Sequence, residues 1–283
     1  MTWILSIEHT SRYRYSEPSG GSFNEARMLP QSDRSQFVLQ RHLIVTPSAH
    51  VLEYQDYWGT LTHVFEVHQP HHELSIIARS QVQTGTGPLT EPESPSWLHY
   101  RDPVFDDAFA EYLDPTDKTL IGDTDEVLSA LDLLRSSATP RDAARGASDL
   151  VHERLTYEVG STAVSTSATE AWSIRKGVCQ DFAHLCIGFL RRLGIPARYV
   201  SGYYYPDQEA SIGELIDAES HAWVEAWVGS WLPLDPTNRE VEPERYVVVG
   251  RGRDYSDVPP LVGIYSGIGS STMEVHVGVV RQS

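Results

Sequence analysis

The chain has 283 residues, 40 % of them hydrophobic and 10 % aromatic, enough to bury a core as one large domain or two ordinary ones. Its 22 basic and 39 acidic side chains give a formal charge of -17, which repels nucleic-acid phosphates and anionic membrane surfaces and favours neutral or basic partners. No apolar run approaches the roughly 20 residues of a membrane span, and the opening residues, Met1 to His9, lack the basic and apolar regions of a secretory signal. A cytoplasmic location is expected.

From Trp3 to about Thr84 aromatic and β-branched residues alternate with polar ones in six runs: Trp3 to His9, Arg12 to Tyr15, Phe37 to Val45, Val51 to Tyr57, Leu61 to Val67 and Leu74 to Gln83. Turn residues such as Gly20-Gly21, Pro47 and Trp58-Gly59 break them, and the pattern reads as an antiparallel β-sandwich over residues 1–85. Gly85 to Pro95 is rich in Pro, Gly and acidic residues and reads as a linker, extended here over 86–120. Helical spacing follows, with Val127, Leu128, Leu131 and Leu134 on one stripe and a second helix from Pro140 to Leu155, where Thr139 can cap and Pro140 suits the first turn. Phe182, Cys186, Phe189, Leu190 and Leu193 mark the buried face of a third helix that Gly194 and Pro196 end. Strands are then expected at Ala197 to Tyr205, His221 to Val228, Trp231 to Asp235, Tyr246 to Val249 and Met273 to Val280, completing an α+β core over 121–283.

Cys179 and Cys186 are the only cysteines. On one helix they stand about 10 Å apart at 1.5 Å per residue, too far for a disulfide, so both should be free thiols. Cys186 falls on the apolar stripe and reads as a small buried hydrophobe. Cys179 instead follows Gly177 at the helix start among polar neighbours, where unpaired amides and the positive end of the helix dipole favour a thiolate and can receive an oxyanion. Gln180 is a candidate to support that oxyanion or to stand behind it.

A thiolate needs a base. His184 lies five residues along the helix and is rotated about 140° from Cys179, a poor placement. His221 opens a strand whose period of two puts Ala222, Val224, Ala226 and Val228 on one face and His221, Trp223, Glu225 and Trp227 on the other. Trp223 and Trp227 are candidates to line a substrate cleft, with ordinary packing the other reading; Arg253 is a candidate to hold a substrate carboxylate, with a structural salt bridge the other. Asp235 is the candidate orienter of His221. A two-residue Gly229-Ser230 turn would set Asp235 opposite Val224 on the wrong face, so a three-residue connection or a bulge is expected, pairing Asp235 with Glu225. Thiol, imidazole and carboxylate in this order suggest a Cys179/His221/Asp235 acyl-transfer centre.

These strings resemble the transglutaminase-like superfamily, in particular its bacterial members with an N-terminal β domain. Gly177-Val178-Cys179-Gln180-Asp181-Phe182-Ala183-His184-Leu185 is similar to the Cys motif, Gly194 to Tyr203 to the strand after its helix, and Ser220-His221-Ala222-Trp223 and Leu234-Asp235-Pro236-Thr237-Asn238 to the His and Asp motifs. Tyr13-Arg14-Tyr15 and Gly252 to Pro260 extend the likeness to both ends, leaving Gly85 to Ala138 the least recognisable part. The resemblance implies a papain-like core of helices packed on an antiparallel sheet. Its members include protein cross-linkers, cysteine proteases and peptide N-glycanases, which share thiolate attack on a carboxamide and differ in the acyl acceptor. Peptide or isopeptide hydrolysis is the expected reaction, cross-linking or a catalytically silent peptide-binding module the alternatives. The expected partner is a peptide or protein. No cofactor or metal is expected, since no EF-hand loop or zinc spacing is present and His71-His72 reads as a loop feature.

Overall fold

A computed structural model describes residues 2–86, 93–207, 209–239 and 241–283 of the chain. The N-terminal region is built from β1 (Trp3–Ser19), β2 (Gly21–Ala26), β3 (Gln36–Thr46), β4 (Val51–Gln55), β5 (Leu61–Val67) and β6 (His71–Thr84). β1 shows why such a sequence pairs as it does: Trp3, Leu5, Ile7, His9 and Ser11 are buried while the alternate residues are partly exposed, the period of two of a strand with one face on a core. Five helices follow, α1 (Pro103–Leu113), α2 (Asp125–Arg135), α3 (Pro140–Arg154), α4 (Ala168–Ile174) and α5 (Cys179–Arg192), with the short strands β7 (Thr156–Tyr157) and β8 (Lys176–Gly177) between α3 and α5. The chain closes with β9 (Ala197–Tyr204), β10 (Leu215–Ala218), β11 (Ser220–Trp227), β12 (Trp231–Leu234), β13 (Tyr246–Gly252), β14 (Leu261–Ser266) and β15 (Ser271–Arg281).

The fold is α+β. One five-stranded sheet has the order β10-β15-β1-β6-β3 and one four-stranded sheet the order β14-β2-β5-β4; together they form the β region. The second four-stranded sheet, β12-β11-β9-β13, belongs to the core with the helices. Its Ala197, Tyr199, Ala222, Val224, Ala226 and Val228 pack with α5 in the main hydrophobic cluster. Farther along the same strands, Tyr203, Tyr205, Val247 and Val249 pack with Trp3, Leu5, Ile7 and Val82 of the N-terminal sheet. α5 is buried from Asp181 to Arg191, a helix enclosed on all sides rather than along one stripe. Each large side chain it buries, such as Phe182 or Phe189, contributes roughly 1.5–3 kcal/mol relative to exposure.

Two sequence-based expectations need correction. The linker expected over 86–120 contains α1, started by the Asp102 side chain accepting from the Val104 amide with Pro103 in the first turn. Tyr100 and Phe105 from this stretch join the main cluster, while Asp106, Asp107 and Glu111 of α1 stay on its exposed side. Within it, residues 87–92 lie outside the described residues. Secondly, the strand expected in the core over Met273 to Val280 pairs instead with the N-terminal region: β15 runs antiparallel to β1 from Leu5↔Arg281 to Tyr15↔Ser271, and β14, not anticipated from the sequence, pairs with β2. The uncharged, glycine-broken sequence of β14 offers little alternation, and Gly20-Gly21 disguises the start of β2, which leaves both strands illegible in the sequence.

No helix among the described residues is long and apolar enough to cross a membrane. A concavity of about 860 Å³ lies on the open side of the five-stranded sheet, bordered by Glu8, His42, Arg79, Gln81, Leu215 and His276, away from Cys179.

Candidate active site

Cys179 is the first residue of α5, at the end where helix amides have no intrahelical acceptor. The turn before it is held by Asp181, whose Oδ2 accepts the Val178 amide at 2.8 Å and the Thr162 hydroxyl at 2.6 Å. Gly177 is required by this arrangement: a Cβ there would lie 2.6 Å from the Asp181 Cβ. Both cysteines are free, Cys179 partly exposed and Cys186 fully buried. Burial pushes the Cys186 thiol well above its ordinary pKa, so it is inert.

His221 and Asp235 are brought together by the β11–β12 hairpin. Its connection is Val228-Gly229-Ser230, with Gly229 at φ 96°, and Trp227 pairs with Trp231 and Val224 with Leu234. Carried one residue further, this register sets Asp235 against Trp223, on the His221 side of the alternation. The odd-length connection is as expected, but the partner is Trp223 rather than Glu225. Val228 leaves the ladder, bonding its amide to the Ser230 carbonyl, while Trp231 enters it with its ring beneath the Arg198 guanidinium at 3.9 Å.

The His221 Nε2–H donates to Asp235 Oδ2 at 2.7 Å, and the Cys179 thiol lies close enough to raise the pKa of the same ring. Asp235 is fully buried yet completely solvated by protein donors. Oδ1 accepts the Thr237 and Asn238 amides at 2.8 and 3.1 Å; Oδ2 also accepts the Asn238 side-chain amide at 2.9 Å and the Tyr246 hydroxyl at 2.8 Å. Burial works against its charge, but the bonds from His221, Asn238 and Tyr246 outweigh it and hold the carboxyl below its ordinary pKa. Burial likewise disfavours imidazolium, and the bonds and charges of Asp235 and Cys179 overcome it, pushing His221 up to about 10. The proton therefore rests on the imidazole at neutral pH. Tyr204 and Trp223 flank the ring at centroid separations of 5.3 and 6.0 Å.

The remaining sequence candidates take other roles. Gln180 donates its side-chain amide to the Val164 carbonyl at 3.2 Å, which engages it with the segment beside the helix start. Trp223 is 2 % exposed and packs with Val200, Tyr246 and Val248, so it is a core side chain rather than a cleft wall. Trp227 is packed among Tyr100, Phe105 and Phe109. Arg253 is paired with Asp257 at 3.0 Å and lies over the Trp58 ring, the structural salt bridge rather than the substrate clamp. His184 is buried and accepts the Tyr255 amide at 3.1 Å; burial pushes it down to about 3, which the charge of Asp254 offsets only in part.

Sequence reasoning missed four contributors. Asn238 stands in the Asp motif but carried no assigned role there, and Asp181 occupies the third helical position, a recognisable capping place. Glu225, on the aromatic side of its strand, is buried between Arg198 and Arg251. Tyr246 had no local signal, since it reaches Asp235 across two intervening strands.

Two family models match the chain: the transglutaminase-like superfamily core over residues 130–236 and the bacterial transglutaminase-like N-terminal region over residues 5–83. An uncharacterized protein of Mycobacterium leprae is 38% identical over 281 residues, covering 99% of each chain. One of Mycobacterium tuberculosis is 33% identical over 292 residues, covering 97% of this chain and 91% of that one. A "Protein-glutamine gamma-glutamyltransferase" of Pseudomonas aeruginosa is 34% identical over 100 residues, 33% of this chain and 15% of that protein. Among solved structures, the "Putative Cysteine Protease" from Cytophaga hutchinsonii superposes with a TM-score of 0.76 at 24% identity over 100% of this chain and 92% of that one, a shared fold. With its whole length matched by these relatives and both of its regions by family models, the chain belongs to the transglutaminase-like superfamily.

Proposed function

We propose that the protein is a thiol-dependent acyl-transfer enzyme acting on peptide or protein carboxamides, with Cys179 as nucleophile, His221 as proton carrier, Asp235 as its orienter, and water as the usual acyl acceptor. The observation that supports this is the meeting of three groups: Cys179 at the start of α5, the His221 ring whose pKa it helps to raise, and a buried, fully bonded Asp235 at 2.7 Å from that ring. In this reading the thiolate attacks the carboxamide carbon, forming a C–S bond, and the oxyanion is received by first-turn amides of α5, that of Cys179 among them. The His221 imidazolium gives its proton to the departing nitrogen as the C–N bond breaks, leaving a thioester and neutral imidazole. Water then attacks the thioester, His221 takes its proton, the C–S bond breaks, and acid and thiolate imidazolium are restored.

An amine in place of water gives an amide or isopeptide bond by the same steps. The partial likeness to a "Protein-glutamine gamma-glutamyltransferase" favours keeping that second reading. Both are tested by incubating the protein with glutamine-containing and isopeptide-linked peptides in water labelled with heavy oxygen, with and without a lysine amine, and reading the products by mass spectrometry. Heavy oxygen in the new carboxylate marks hydrolysis; a mass gain of the amine less ammonia marks transamidation. Product formed equally well by Cys179→Ala would sink both and favour a peptide-binding module.

A further inference from the structure

β13 is the outermost strand of the core sheet, so one of its edges has no strand partner within that sheet. The N-terminal region supplies one in the form of a single side chain. Gln36, 2 % exposed, donates its side-chain amide to the Val248 carbonyl at 2.7 Å and accepts the Val248 amide at 2.8 Å, closing the two-bond ring that a neighbouring strand would form. Nearby, the Thr84 hydroxyl donates to the Glu244 carbonyl at 2.6 Å. Tyr246 lies between these two attachments on the chain, and its hydroxyl reaches Asp235 Oδ2 at 2.8 Å. The ring is seated against Trp223 and Tyr204 at centroid distances of 5.2 and 4.9 Å, which fixes the direction of the hydroxyl.

We propose that Tyr246 is a positioning residue of the site, its hydroxyl completing the hydrogen-bond set of Asp235, and that the N-terminal β region holds it there through Gln36. The inference rests on the Cys179/His221/Asp235 reading above. The β region then serves the chemistry by fixing the strand that completes the site. The titratable groups facing Asp235 are His221 from β11, Tyr204 from β9, Cys186 from α5 and Tyr246 itself. A carboxylate with one donor fewer takes up its proton at higher pH. Protonated Asp235 no longer holds His221 positive, and reactivity of Cys179 then falls.

The test is the rate of iodoacetamide labelling of Cys179 in the full chain, followed by mass spectrometry from about pH 2.5 to about pH 9. In Tyr246→Phe, which keeps the ring, the acid limb is expected to move up by about one pH unit. Gln36→Ala should move it in the same direction and add nothing in the Tyr246→Phe background, because the two act through one contact. Tyr203→Phe is the comparison: it removes a buried hydroxyl bonded to Met28 and His9 instead, and should leave the limb in place. An unmoved limb in Tyr246→Phe, in a protein whose fast labelling is lost in His221→Ala, overturns the role of Tyr246 and leaves the site reading standing. Additive shifts from Gln36→Ala and Tyr246→Phe overturn the role of the β region. Wild-type labelling at every pH in His221→Ala overturns the site reading itself and this inference with it.

Discussion

Thr162 donates its hydroxyl to the Asp181 carboxylate at 2.6 Å, the same oxygen that caps the Val178 amide. One carboxylate thus ties the segment between β7 and α4 to the turn that presents Cys179. Its second oxygen is buried with no hydrogen-bond partner among the described residues, and burial raises the carboxyl pKa against the opposing bonds from Thr162 and Val178.

Asp181→Ala should therefore cost about 1–2 kcal/mol of stability as a lost helix cap. Asp181→Asn retains an oxygen for Val178 and Thr162 without the buried charge and should cost less. A group whose folded pKa is raised penalises folding as pH climbs past its unfolded value, so Asp181→Asn should compare best near neutrality. Urea denaturation of both variants checks the order.

The two thiols should differ sharply. Brief iodoacetamide treatment of the native protein at neutral pH is expected to give a single adduct at Cys179, with Cys186 labelled only after unfolding. Cys186→Ala should leave that rate unchanged and lower stability by about 1 kcal/mol, the price of a small cavity. Mass spectrometry of the digested adduct reads the site directly, and labelling of Cys186 in the folded chain would contradict its burial.

His221 sets a pH window. Its pKa is raised from 6.5 to about 10, so its contribution to stability is complete below 6.5 and is lost as pH rises through about 10. Asp235 is shifted the other way, and its contribution is present above 3.8 and lost as pH falls through the lower folded value. His221→Ala leaves Asp235 buried without its main partner and should cost about 3 kcal/mol at about pH 6. That deficit should shrink above about pH 10, where wild-type His221 has lost its proton too. Chemical denaturation at the two pH values measures the difference.

Glu225 is 7 % exposed and bonded to Arg198 and Arg251, which hold its carboxyl low against the opposing effect of burial. Glu225→Gln should cost about 3 kcal/mol, because it leaves Arg198 without its counter-charge and Arg251 with Asp33 alone. A melting temperature close to wild type would show that solvent reaches these arginines.

Period and local chemistry made much of the molecule legible. The helix beginning at Cys179 followed from the glycine before it and the apolar stripe after it, α3 followed from Thr139 and Pro140, and the parity of β11 separated Ala222, Val224 and Ala226 from His221. The need for a three-residue connection or a bulge before Asp235 was legible too, because strand alternation with a two-residue turn puts Asp235 on the face away from His221.

Residue types, their order and their local periods are properties of neighbouring positions, and the sequence alone determined those: a thiol at a helix start, an imidazole at a strand start, a carboxylate after a hairpin. Only the tertiary structure decided which of them meet. It buried Trp223, packed Trp227 among aromatic rings, paired Arg253 with Asp257, and joined β14 and β15 to the N-terminal sheets. It also carried Tyr246 to Asp235 and Gln36 to Val248, a contact between positions 212 residues apart. The reason is physical: hydrogen-bond geometry and buried area depend on distances in space, and sheet order, which no local period encodes, sets those distances.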